Sequence, residues 1–254
     1  MQLPVTPSLR LDGRRAVVTG AGRGIGLAAA AALADAGAIV TLVARSAPEI
    51  EAATAAIRAR GGQAQAVMLD VAHLPQVDAF FAGRPAFHIL VNNAGTNRPK
   101  QVLEVSEDDY DAVLDLNLKS AFFVAQGCAR RMVTDGVKGS LIHMGSQMGH
   151  VGGQNRSLYC ASKWGLEGLN KALALDLAAQ GIRSNTIAPT FIETPLTQAF
   201  LADEAFKASV IAKIKLGRIG KVEDLMGAIV YLASDAAALV TGTSLVIDGG
   251  WTAD

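Results

Sequence analysis

Short β-branched apolar runs alternate with longer alanine- and leucine-rich stretches along nearly the whole chain. The runs at 16–19, 39–43, 64–69, 88–92, 140–144, 183–187 and 244–247 have the length and composition of buried strands. The stretches at 25–36, 48–60, 75–82, 107–134, 157–179 and 222–233 have helical length and pattern. Strands separated by helices must be joined by crossovers, so the pattern predicts an α/β fold: a doubly wound, parallel, seven-stranded sheet with helices on both faces. Ligands are then expected beyond the carboxyl ends of the strands. Residues 190–220 break the rhythm. They lie between a strand and a helix, and their middle, 196–214, reads as irregularly amphipathic helix; a long excursion at that end of a sheet predicts a substrate lid.

Length and composition narrow this picture without changing it. The chain has 254 residues, no proline- or serine-rich linker and no repeat, which predicts one domain over 1–254. With 23 basic and 23 acidic residues and no block of like charge, neither nucleic acid nor a membrane surface is an expected partner. No 18-residue apolar stretch is present, and the N-terminus lacks the pattern of a signal peptide. Cys128 and Cys160 fall within predicted helices, where buried free thiols in a reducing cytoplasm are expected. His73, His88, His143 and His150 show no ligand spacing, so no metal is expected.

The first strand runs into Gly20-Ala21-Gly22-Arg23-Gly24-Ile25-Gly26 and then an apolar helix. Glycines allow a tight turn and close approach of a pyrophosphate, and the helix start supplies free amides and a positive dipole end. Strand, loop and helix in this order predict a Rossmann-type dinucleotide site. At the end of the second strand, where a carboxylate would accept the ribose hydroxyls of NAD, the chain has Ala44 followed by Arg45. Arg45 and Arg23 can clamp a 2′-phosphate, so NADP is expected over NAD.

Tyr159 and Lys163 are four residues apart on a predicted helix, and Ser146 ends the strand before it. The spacing puts phenol and ammonium on one helix face, where the ammonium makes the phenol easier to ionise. An ammonium about 4 Å away is worth roughly 4 kcal/mol at an effective dielectric of about 20. That matches the shift of about 3 units from pH ~10 that useful ionisation near neutrality requires.

With these residues assembled, the chain resembles the short-chain dehydrogenase/reductase family over nearly its whole length. The resemblance rests on Thr19-Gly-x-x-x-Gly-x-Gly26, Asp70 and Val71, Asn92-Asn93-Ala94-Gly95, Asn117, Ser146, Tyr159-x-x-x-Lys163, and Pro189 with Ile192 and Thr194. It implies a nicotinamide-dependent oxidoreductase acting on CH–OH groups, in which hydride reaches a carbonyl carbon while Tyr159 donates a proton to the oxygen. Further implied roles are Asp70 and Val71 by the adenine, and Asn93, Ala94 and Gly95 along the adenosine side. Pro189, Ile192 and Thr194 fall to the nicotinamide, with Ile192 and Thr194 meeting its carboxamide. Lys163 would also hold the nicotinamide ribose, Ser146 the substrate oxygen, and Asn117 a water that relays protons from Lys163. Three positions depart from the family pattern: Thr190 replaces a usual glycine, Ser184 a usual apolar residue, and Trp164 a usual small one.

The loop after Ser146 is polar. Gln147, His150, Gln154 and Asn155 can bind hydroxyls and Arg156 a carboxylate, which predicts a polyol, sugar or sugar acid as substrate. The alternative is a 3-oxoacyl-(acyl-carrier-protein) reductase, with Arg130 and Arg131 docking the carrier. Leu175 stands where such reductases often carry a second base. A remoter alternative, a non-catalytic NADP-binding regulatory protein, does not explain Ser146, Tyr159 and Lys163 together. Phe122, Phe123, Leu166, Leu169 and Leu173 spread over more than one helix face, predicting a homo-oligomer, dimer or tetramer, with the C-terminal segment around Trp251 in a second interface.

Overall fold

A computed structural model describes residues 1–253. In chain order it contains β1 (Arg15–Thr19), α1 (Gly24–Asp35), β2 (Ile39–Ala44), α2 (Ala47–Ala59), β3 (Gln63–Met68), α3 (Leu74–Ala82) and β4 (Ile89–Asn92). It continues through α4 (Glu107–Leu114), α5 (Ser120–Thr134), β5 (Gly139–Met144), α6 (Ser157–Leu177) and β6 (Ile182–Pro189). The chain ends with α7 (Pro195–Leu201), α8 (Glu204–Ile211), α9 (Glu223–Ala233) and β7 (Ser244–Ile247). The strands form one parallel sheet in the order β3-β2-β1-β4-β5-β6-β7. Winding therefore reverses between β1 and β4, and that switch point opens the ligand cleft at the carboxyl ends.

Period-two alternation explains why the strands are apolar throughout. In β1, Ala16 and Val18 enter a core with α1, α2 and α9, while Val17 enters the opposite core with α3, α5 and α6. Phe80, Phe81 and Phe87 pack against one another in that second core, with ring centroids 4.9–6.2 Å apart. Of the apolar residues expected to spread over more than one helix face, Leu166 is 2% exposed and lies in the interior of the subunit. Among the described residues no helix is long and apolar enough to cross a membrane.

The predicted helix over 107–134 is interrupted. A π-helical turn, Asp115–Lys119, joins α4 to α5 and carries Asn117. The expected helix over 196–214 is two short helices, α7 and α8, started by capping residues Thr194 and Asp203. This excursion has its own small core of Val210, Ile214 and Ile219. Phe191 stacks on Trp251 at 5.9 Å, so the C-terminal segment braces the excursion.

Candidate active site

The glycine loop is shaped by two demands. Gly20 and Gly24 adopt positive φ, 64° and 55°, and a Cβ on Gly26 would collide with the Gly20 carbonyl oxygen. Asn93 ties the loop to the sheet: its Nδ2 donates to Thr19 O at 3.0 Å and Gly20 O at 3.2 Å. Thr19 Oγ1 in turn accepts from the amides of Asn93 and Ala94 at 2.9 and 3.0 Å. A cleft of about 380 Å³ opens here, lined by Gly20, Arg23, Gly24, Ile25, Ala44, Arg45, Asp70, Val71, Asn93, Ala94, Gly95 and Thr194. Its glycine cradle and basic side chains fit a dinucleotide with a 2′-phosphate. Arg45 is exposed and pairs with no carboxylate among the described residues, whereas Arg23 lies 3.2 Å from Glu49, a cleft residue that sequence reasoning missed.

An adjoining cavity of about 140 Å³ brings Ser146, Tyr159 and Lys163 together with Pro189, Thr190, Ile192 and Thr194. It shares Ile25, Asn93, Gly95, Thr194 and Leu196 with the larger cleft, so a cofactor in one reaches the other. Ser146 Oγ accepts from Met148 N at 3.1 Å and donates to Gln147 Oε1 at 3.2 Å. Burial pushes the Tyr159 phenol above its ordinary value, while the Ser146 hydroxyl and the Arg156 charge pull it back. Burial lowers Lys163 to about 8, against the opposing effect of Glu167.

The ammonium–phenol pairing expected from spacing is corrected here. Lys163 Nζ donates to Met144 O at 2.7 Å and lies 5.5 Å from the Tyr159 ring centroid, over its face. With desolvation dominant at Tyr159, the phenol keeps its proton across the neutral range. The Asn117 side chain is engaged by its neighbours. Oδ1 accepts from Thr96 N at 2.8 Å, and Nδ2 donates to Thr96 O at 2.9 Å and Ser162 Oγ at 3.1 Å. The side chain instead pins the loop after Gly95 to α6.

The polar loop after Ser146 turns away from the cavity more than its composition suggests. Gln147 is 2% exposed and faces Ser146, and its Nε2 has no partner. Gln154 is exposed and is not among the residues that line the two cavities. His150 points to Ser244 Oγ at 2.9 Å, and Asn155 is an exposed residue at φ 59°. Besides Ser146, Tyr159 and Lys163, the polar residues that line the reaction cavity are Asn93, Thr96, Thr190, Thr194 and Thr197. The two threonines at 96 and 197 carried no motif signal. Thr190 manages without glycine because its φ is not positive, and its Oγ1 lacks a partner. Ser184 is satisfied by Asn170 Oδ1 at 2.8 Å and His143 Nε2 at 3.3 Å, and Trp164 is exposed on α6. Thr194 is partly committed to capping α7, through Thr197.

Fold and site together define a Rossmann-type nicotinamide oxidoreductase architecture. A family model described as Enoyl-(Acyl carrier protein) reductase matches residues 20–252. The chain is 35% identical to the D-erythrulose reductase of Gallus gallus, over 96% of this chain and 98% of that one. It is 36% identical to the 3-oxoacyl-[acyl-carrier-protein] reductase of Pseudomonas aeruginosa, over 95% and 98%. A solved gluconate 5-dehydrogenase from Burkholderia cenocepacia, in complex with NADP and tartrate, superposes with a TM-score of 0.93 at 38% identity, covering 97% of this chain and 98% of that one. The chain belongs to the short-chain dehydrogenase/reductase family. Relatives of nearly equal identity carry different substrate names, so substrate must be argued from the cavity.

Proposed function

We propose that this protein is an NADP-dependent oxidoreductase that interconverts a secondary alcohol and a ketone on a small polyol, sugar or sugar acid. The observation that carries this reading is the convergence of Ser146, Tyr159 and Lys163 on one cavity continuous with a glycine-loop cleft. When bound, the nicotinamide supplies or accepts the hydride. Ser146 turns its hydroxyl hydrogen from Gln147 to the substrate oxygen and orients it. Tyr159 holds its proton at neutral pH and delivers it to that oxygen during reduction. Lys163, fixed by Met144 O and lying over the Tyr159 ring, would hold the nicotinamide ribose. Gly20, Gly24, Ile25, Gly26, Asp70, Val71, Asn93, Ala94, Gly95, Pro189, Ile192 and Thr194 hold the dinucleotide, with Arg45 and Arg23 on the 2′-phosphate.

Threonine hydroxyls at 96 and 190 suit a hydroxylated substrate better than an acyl chain. Against the carrier-protein alternative, Arg131 is committed to Asp135 at 3.0 Å and Leu175 is an exposed apolar residue. Residues 190–220 act as the lid of a single domain. Copies associate through the open apolar face of Tyr110, Leu114, Leu118, Phe122, Phe123 and Leu169 into a homo-oligomer. The free thiols Cys128 and Cys160 suit a reducing cytoplasm.

The deciding experiment measures NADPH oxidation with ketoses, keto-aldonates and acetoacetyl thioesters. The expected result is turnover of hydroxylated ketones, reduced at least about 1,000-fold by Tyr159→Phe. Preference for the thioester, or full activity of the phenylalanine variant, would overturn the reading.

A further inference from the structure

Several polar groups that line the reaction cavity already have partners. Asn93 Nδ2 donates to Thr19 O and Gly20 O at 3.0 and 3.2 Å, Thr197 Oγ1 donates to Ile192 O at 2.5 Å, and Thr194 caps α7. Thr190 differs. It lines the same cavity, yet its Oγ1 is shielded from solvent and has no hydrogen-bond partner among the described residues. The backbone does not need this hydroxyl, because Thr190 N donates to Ile247 O at 3.2 Å and β6 pairs with β7 as far as Pro189 and Ile247. A buried hydroxyl without a hydrogen bond costs stability, whereas valine has the same shape and no such group. Packing therefore gives no reason for a hydroxyl here, and a ligand does.

Strand register sets this side chain beside the reacting atoms. Met144 pairs with Ile187, and Gly145 N donates to Ile187 O at 2.8 Å. Ser146 is therefore level with Pro189, and Thr190 is one residue farther along the neighbouring strand end. Strand spacing and rise put the two Cα atoms about 6 Å apart, a gap that a ketone and the hydroxyl on its neighbouring carbon can bridge. Rotation about χ1 exchanges the methyl and hydroxyl of threonine, and here it breaks no hydrogen bond. The turn brings the hydroxyl to the cavity side at little cost.

We propose that Thr190 is a specificity-determining residue whose hydroxyl binds a hydroxyl on the carbon next to the substrate ketone, so that the cavity selects α-hydroxy ketones over ketones without that group. This inference rests on the oxidoreductase reading above. The neighbouring hydroxyl is bound and not transformed: hydride still goes to the ketone carbon and the proton of Tyr159 to its oxygen. Ser146 and Tyr159 receive the ketone, and Thr190 reads the carbon beside it.

The test compares D-erythrulose, which carries a hydroxyl on both carbons next to the ketone, with its 1-deoxy and 3-deoxy analogues, which each lack one of them. With NADPH, the wild type is expected to favour erythrulose over at least one analogue by about 30-fold or more in kcat/KM. In Thr190→Val that ratio should fall at least about tenfold, and in Thr190→Ser it should stay within about threefold of the wild type, because serine keeps the hydroxyl. Two further readouts separate this role from a structural one. Without ligand, the melting temperature of Thr190→Val should equal or exceed that of the wild type, since an unpaired buried hydroxyl is removed. D-erythrulose with NADP, which has no hydride to give, should raise the melting temperature of the wild type but not that of Thr190→Val. A wild type that reduces both analogues as well as erythrulose, or that turns over other ketones but none of these three, would overturn the subsite while leaving the oxidoreductase reading intact. So would a valine variant with an unchanged ratio. A valine variant that loses NADPH affinity and all three activities alike would assign the hydroxyl to the nicotinamide, which also overturns the subsite. A wild type that reduces none of these compounds nor any other ketose or keto-aldonate would overturn the oxidoreductase reading itself.

Discussion

At the scale of single residues, the proposed site for the 2′-phosphate sets two cations, Arg45 and Arg23, beside one anion, Glu49. Ala44 at the end of β2 removes the carboxylate that would favour NAD, and Arg45 stands free beside it. Arg23 is held by Glu49 at 3.2 Å, with both side chains substantially exposed, so the pair is weak and a phosphate can compete for the arginine. Arg45→Ala is expected to weaken NADPH about 10- to 100-fold, the worth of one charge-assisted hydrogen bond, while changing NADH little. Glu49→Gln should instead tighten NADPH up to about fivefold, because Arg23 no longer has to leave a carboxylate. Fluorescence titration of both nucleotides against both variants checks the pair of expectations. Equal effects on NADPH and NADH would remove the arginines from the phosphate site.

At the scale of elements, the π-helical turn Asp115–Lys119 is where tertiary contacts override local preference. Its Asn117 amide bonds both backbone groups of Thr96, twenty-one residues earlier, and the Ser162 hydroxyl on α6. Asn117→Leu leaves the Thr96 N–H and carbonyl without partners inside the protein. That should cost about 2–4 kcal/mol in urea unfolding and lower kcat, since Thr96 lines the reaction cavity. Unchanged stability would show that water replaces the amide. The same turn marks what was legible in the sequence. Strand ends came within one or two residues, because runs such as Val17, Val18, Val40 and Leu42 are buried on both sheet faces and leave no other reading. The glycine loop and the set Ser146, Tyr159 and Lys163 were legible because their spacing is itself the chemistry. The helix interruption was not, since its cause lies on another element. Nor was the direction of the loop side chains: polarity says that Gln147, His150 and Gln154 need partners, but not that His150 finds Ser244.

At the scale of the whole molecule, the site stands on a buried polar layer between the sheet and α6. Glu167 accepts from Thr186 Oγ1 at 2.7 Å, Ser184 donates to Asn170 at 2.8 Å, and His143 on β5 contacts Ser184 at 3.3 Å. His143 is fully buried, its Nδ1 has no partner, and burial with the nearby Lys163 charge lowers its value to about 4. The ordinary imidazole value is about 6.5, so between these limits the unfolded chain binds a proton that the folded chain refuses. The stabilisation is therefore fully present above about pH 6.5 and is lost as pH falls to about 4. A shift of this size corresponds to about 3 kcal/mol. His143→Asn removes the titrating group and keeps a polar side chain. The stability difference between wild type and variant, taken from urea midpoints at successive pH values, is expected to move by about 3 kcal/mol towards the variant between pH 7 and pH 4. A difference that stays constant over that interval would mean that His143 is protonated within the fold. The polar layer beneath Lys163 would then carry a positive charge that the catalytic assignment does not allow.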